Sequence, residues 1–170
     1  MRKLILAVAV LLTAVLFIFQ GFRQSYPIPE AVTGTEIFVS SGEDINDALD
    51  AIYFNISIMG VREATVDGIA EDFSVDPALF AEVYGRYTDG RFGIADIIIV
   101  RPAAGEEAAA RDALITIRTS RTSLFHNYDI YGASELASGG TIYSRGDYLI
   151  LLMIENSDAI REQLDQSIPA

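Results

Sequence analysis

Two stretches of this chain are apolar where a half-exposed strand would alternate. Ile97-Ile98-Ile99-Val100 is one. In Tyr148–Ile154 the even positions carry Tyr, Ile, Leu and Ile, and the odd ones carry Leu, Leu and Met. A sheet with one wet face reads apolar-polar-apolar, so strands apolar on both sides need both faces covered. The later helices on one side and an Ile45–Met59 helix on the other would do this. A second copy burying one face is the alternative.

The rest of the pattern supplies those helices. "SSGEDINDALDAIYFNISIMG" has capping-box spacing at Ser40 and Glu43. Its apolar stripe comprises Ile45, Ala48, Leu49, Ile52, Ile56 and Met59, and Gly60 can end it. Val61–Phe80 is hard to read beyond Asp76-Pro77, which predicts a cap and a brief helix. "EVYGRYT" and "IADIIIVRP" read as strands joined by the turn-prone "DGRFG". "GEEAAARDALITIRTSRTSLF" has helical spacing through Ala110, Ala113, Leu114, Ile117 and Leu124, with acids early and arginines late. Two apolar runs then flank Arg145-Gly146-Asp147, and "SDAIREQLDQSI" closes the chain as a short helix started by Asn156 or Ser157. The predicted order is a helix followed by β-β-α-β-β-α. The expected fold class is therefore α+β, with a four-stranded, mainly antiparallel sheet. Arg145-Gly146-Asp147 resembles an adhesion tripeptide, but its place between two strands predicts a hairpin in which Gly146 supplies positive φ.

The first residues suggest an address. Arg2 and Lys3 precede an almost unbroken apolar run from Leu4 to Phe22, and about 20 such residues suffice to span a bilayer as a helix. No small-residue cleavage pattern closes the run, so an uncleaved anchor over residues 1–23 is expected; secretion after cleavage is the alternative. The positive flank places the N-terminus in the cytoplasm and the remainder outside. Pro27 and Pro29 mark an extended stalk over 24–39, leaving 40–170 as an extracytoplasmic domain.

Composition limits the chemistry. With 12 basic against 24 acidic residues, the net charge of −12 opposes a phosphate backbone, so nucleic-acid binding is not expected. The absence of cysteine removes disulfides, thiol catalysis and cysteine-based zinc sites. His126 is the only histidine, which rules out a His-rich metal site; its ordinary role is that of a helix-end residue. Acidic pairs such as Glu71-Asp72 are numerous, and two carboxylates can hydrolyse glycosides. In a sequence this acidic, however, apparent pairs arise without function. Asp96 stands out because it sits beside an Ile-Ile-Ile-Val run, with Arg86 or Arg101 as a candidate partner. Tyr84, Tyr87, Phe92, Tyr128, Tyr131, Tyr143 and Tyr148 could form an aromatic platform, although strand tyrosines usually pack across strands. Asp96, His126, Tyr128, Tyr84 and Tyr87 are therefore the candidates for a binding surface. No catalytic, cofactor or metal residue is assigned, and no nucleotide fingerprint is present.

From about Thr65 to Ile168 the chain resembles the DUF4358 family, a domain of unknown function in membrane-attached or lipoprotein-like bacterial proteins. The resemblance rests on "FSVDPALFAEVYGRY", on "ADIIIVR" from Ala95 to Arg101, and on a helix leading to Tyr128. It also rests on "RGDYLILLM", where Gly146 and Tyr148 keep the family's glycine-then-tyrosine spacing. Members often carry a lipid-modified cysteine, which this chain lacks. The resemblance implies location and domain type and assigns no catalytic residue. The expected function is thus a membrane-anchored, non-catalytic binding or assembly module at the cell envelope. Its partner would be a protein, an envelope polymer or a second copy meeting it through the sheet. A carboxylate enzyme acting on envelope polymers is the alternative.

Overall fold

The computed structural model describes residues 42–170. Helix α1 (Gly42–Phe54) is followed by strand β1 (Val61–Glu63), helix α2 (Val66–Phe73) and a 3-10 turn at Pro77–Leu79. Strands β2 (Phe80–Thr88) and β3 (Asp96–Pro102) lead into helix α3 (Glu107–His126) and the short helix α4 (Ala133–Ser138). Strands β4 (Thr141–Arg145) and β5 (Tyr148–Met153) and helix α5 (Ser157–Ser167) complete the chain. The strands form one sheet in the order β1-β2-β3-β5-β4, and every neighbouring pair is antiparallel.

The expected α+β class holds, but the four-stranded sheet is corrected to five strands. The extra strand, β1, pairs Val61, Arg62 and Glu63 with Thr88, Tyr87 and Arg86. Three residues at a sheet edge are too few for an alternating pattern to register. Helices α2 and α4, at eight and six residues, are likewise too short to show a full apolar stripe. Thr65 starts α2 by accepting a hydrogen bond from the Gly68 N–H, and Asp76 caps the 3-10 turn through the Ala78 N–H.

Both sheet faces are covered within the one chain, as the doubly apolar strands require. Ile98, Val100, Leu149, Leu151 and Met153 pack under α2, α3 and α4 with Ile69, Leu114, Ile117 and Phe125. Ile97, Ile99, Ile150 and Leu152 pack under α1 and α5 with Ile45, Leu49, Ile52 and Leu164. The division between layers differs from expectation, because α5 joins α1 rather than the later helices. Self-association through the sheet finds no support here, because helices occupy both of its faces.

The β4–β5 hairpin turns at Gly146-Asp147, between paired Arg145 and Tyr148, and Gly146 has φ +52°. Arg145 donates from Nε to the Ile168 carbonyl (2.7 Å) and from its terminal nitrogen to that of Asp165 (2.8 Å). It thereby closes the C-terminal end of α5, where a cation is favoured. The tripeptide is a structural corner.

The membrane-anchored reading is also corrected. Among the described residues no helix is long and apolar enough to cross a membrane. The longest, α3, carries Arg111, Arg118 and Arg121. The Leu4–Phe22 segment expected to form the anchor and the 24–39 stalk lie outside the described residues. Single-pass topology, an extracytoplasmic position and the membrane as a partner therefore find no support in this domain.

Gly85 provides a sharp test of the sheet. It has φ +137° inside β2, and a Cβ placed there would lie 2.1 Å from the Ile97 carbonyl oxygen. Its own carbonyl accepts the Ala64 N–H at 2.8 Å, which brings the chain after β1 onto the sheet. Gly85→Ala is expected to cost about 3 kcal/mol in a urea titration, from strain and from displacement of the adjoining backbone. A loss below about 1 kcal/mol would contradict this geometry.

Candidate functional site

The sequence-selected residues do not come together. Strand alternation sends Tyr84 toward α1 and Tyr87 toward α3. Tyr87 is buried; its hydroxyl donates to Asp72 at 2.7 Å, and burial pushes its pKa up to about 12. Tyr84 is half-buried and donates to Glu82 at 3.2 Å, as does Tyr148. His126 is exposed in the last turn of α3, and Tyr128 is exposed in the segment that follows.

Asp96 is fully buried and paired with Arg121, not with Arg86 or Arg101. Arg121 Nε donates to its Oδ2 at 2.8 Å, while the Thr88 N–H and hydroxyl stand 2.8 and 3.0 Å from Oδ1. The guanidinium also reaches the Thr88 carbonyl and lies against the paired rings of Phe73 and Tyr87. Burial pushes the Asp96 pKa up, whereas Arg121 and the Thr88 donors oppose that rise. Held by three donors and with no exposed surface, Asp96 offers nothing to a substrate.

A groove instead opens at the sheet end that carries the β2–β3 loop. Its walls come from the segment after α1 (Ile56, Ile58, Met59), the β2–β3 loop (Phe92, Gly93, Ile94), the α3–α4 segment (Ile130, Tyr131) and the β5–α5 junction (Ile154, Glu155, Asn156). It encloses about 1120 Å³. Met59 and Tyr131 line it at 62% and 90% exposure, and Phe92 is exposed as well. Phe54, exposed at 88%, ends α1 just before the segment that supplies Met59, and Tyr128, at 63%, lies on the one that supplies Tyr131. Thus Phe92, Tyr128 and Tyr131 from the expected aromatic set occur at this end, whereas Tyr84, Tyr87, Tyr143 and Tyr148 do not line the groove.

Tyr131 is held at φ +52°, in the left-handed region that a bulky side chain rarely adopts. Gly132 continues at φ +77°. The turn is fixed by the Ala133 N–H on the Ile130 carbonyl (3.0 Å) and the Ser134 N–H on Asp129 Oδ1 (2.9 Å). Beneath the groove, the Tyr53 hydroxyl sits 2.6 Å from the Ala95 carbonyl and 2.9 Å from that of Arg86. Burial, reinforced by the Asp96 charge, pushes this phenol far above its ordinary range. The Asp89 N–H donates to the Gly60 carbonyl at 2.9 Å, tying the β2–β3 loop to the segment after α1. The opening is therefore built on anchored loops. Ile56, Ile58 and Asn156 gave no sequence signal of this role; Tyr131-Gly132, an aromatic beside a turn former, was the closest to one. Among the described residues no group of three or more acids or histidines is placed to hold a metal.

Two outcomes follow from these contacts. Asp96→Leu or Arg121→Met alone leaves an unpaired buried charge and should cost about 3–5 kcal/mol in chemical denaturation. The double variant should cost less than either single one, which a double-mutant cycle measures directly. For Glu82, the hydrogen bond from Arg101 holds the carboxyl below its ordinary 4.5, with Tyr84 and Tyr148 helping. A lowered folded-state pKa gives stability that is complete above 4.5 and lost as pH falls through the folded value. Glu82→Gln should therefore cost about 0.5–1 kcal/mol at pH 7, and the difference should vanish in acid.

Comparison with known proteins found no match to a family model, a curated protein or a solved structure, so the resemblance to the DUF4358 family rests on the quoted motifs alone.

Proposed function

We propose that this domain is a non-catalytic binding module that captures an apolar segment of another polypeptide in the groove at the loop end of its sheet. The observation that carries the reading is the accumulation of large apolar side chains around one opening, when both sheet faces are otherwise closed. Met59, Phe92 and Tyr131 line the opening, with Phe54 and Tyr128 on adjoining segments. Clustered exposed apolar side chains are a feature of recognition sites. Tyr131 adds a second argument. A residue both strained and exposed lowers stability without filling the core, a combination found where recognition needs the side chain in place. Ser57, Asn55 and Gln163 supply polar groups that could fix the register of a bound backbone.

Two substitutions separate recognition from packing. Tyr131→Gly removes the left-handed strain and should raise stability by about 0.5–1 kcal/mol. Met59→Ser replaces an exposed side chain and should leave stability unchanged within about 0.5 kcal/mol. A random peptide library selected on the wild-type domain should yield sequences rich in Leu, Ile and Phe. The selected peptides should lose binding to both variants by about tenfold or more. Peptides that bind wild type and the Tyr131→Gly, Met59→Ser double variant equally would overturn the proposal.

A further inference from the structure

Resting on the groove reading, we infer that the occupant is a basic amphipathic peptide: apolar side chains toward the groove floor and lysine or arginine at the positions between them. The charge around the opening is one-sided. Among the described residues Glu155 is the only charged one lining the groove, and it is exposed. Asp129 and Glu135 adjoin Ile130 and Leu136 in sequence, and Glu162 adjoins Gln163; all three are exposed. None of these four acids has an ion-pair partner among the described residues.

Each nearby cation has an acid beside it. Arg91 is held by Asp89, which accepts from its Nε at 2.8 Å and from its backbone N–H at 3.0 Å. Arg161 lies 4.3 Å over the Tyr143 ring, with Asp165 3.9 Å away. Glu155 at the opening and the acids on the adjoining segments therefore outnumber the cations there, on a chain whose net charge is −12. Complementarity of that kind selects a partner and speeds its arrival. It also disfavours the other occupants of an apolar groove. A second copy would bring two acidic rims together, and an anionic lipid surface would be repelled.

The composition permits a direct test. Lys3 is the chain's only lysine, so a carbodiimide joins the amines of an added peptide to protein carboxylates with little internal competition. Three acetylated, amidated peptides of about 12 residues would share one apolar set and carry Lys, Gln or Glu at the remaining positions. The Lys peptide is expected to bind about fivefold to tenfold more tightly than the Gln peptide at low salt, with the Glu peptide weakest. That advantage should shrink toward parity near 0.5 M salt, where the Debye length is only a few ångströms. Carbodiimide coupling should attach the Lys peptide at Glu155, Asp129, Glu135 or Glu162. Tyr131→Gly should weaken all three peptides, whereas Glu155→Gln should weaken the Lys peptide alone.

The outcomes are distinct. If the Gln peptide binds in a Tyr131-dependent way and the Lys peptide gains nothing, the charge inference fails while the groove reading stands. If no peptide binds, the groove reading fails as well. Coupling spread over the carboxylates of α1 and α3, insensitive to Tyr131→Gly, would reveal general attraction to an acidic surface and overturn the inference. Sedimentation showing a dimer that Met59→Ser dissociates would overturn it in favour of a second copy.

Discussion

The buried contact between Asp96 and Arg121 joins the sheet to α3 at the end from which the β2–β3 loop leaves. Asp96 begins β3, Thr88 ends β2, and Arg121 projects from α3. A single guanidinium therefore ties the ends of two neighbouring strands to the helix packed over them. The Thr88 hydroxyl also stands 3.0 Å from the Gly93 carbonyl, extending the network into the β2–β3 loop. Taking both charges out of water is expensive, and an apolar replacement of similar volume can be as stable. What the charged pair adds is direction: hydrogen bonds fix the strand ends where apolar contacts would allow sliding. On the other face, Tyr53 performs the corresponding task for α1 by binding the Ala95 and Arg86 carbonyls.

That network explains why some of the fold could be read from sequence and some could not. Ile97–Val100 and Tyr148–Ile154 required cover on both faces because apolar burial is a per-residue property that the letters display. Which helix lies on which face is set by the length and direction of connections, so the placement of α5 beside α1 was not encoded in any local pattern. Helix α1 stops at Phe54, although the apolar stripe continues to Met59. With α1 ending there, Ile56, Ile58 and Met59 become groove wall. In α3 the expected Leu124 is exposed, while Arg121 and Phe125 are buried. A charged residue on the core face is invisible to a hydrophobic period, and its partner lies 25 positions away.

The candidate site was less legible for a related reason. Aromatic residues near one another in sequence were dispersed by strand alternation, with Tyr84 and Tyr87 separated onto opposite faces. Those on connections, Phe92, Tyr128 and Tyr131, stayed at one end because the loops carrying them meet there. Asp96 drew notice for its apolar setting, and that setting is what removes it from solvent. Arg145-Gly146-Asp147 shows the same ambiguity: its arginine is spent on the carbonyls at the end of α5.

Stability and the proposed recognition are consequently divided along the strand axis. The middle of the sheet carries aliphatic side chains that are almost wholly buried and leaves little to change. At the groove end, Tyr131 and Asn156 adopt left-handed backbone without being glycine, and large side chains face outward. Such features lower the stability of any isolated domain, so they persist only where anchored neighbours supply a compensating margin. The Asp96–Arg121 network and the Tyr53 hydroxyl lie directly beneath those loops and hold the backbone from which they leave. A groove on loosely held loops would lose much of its binding energy to ordering them; one on pinned strand ends would meet a partner already shaped.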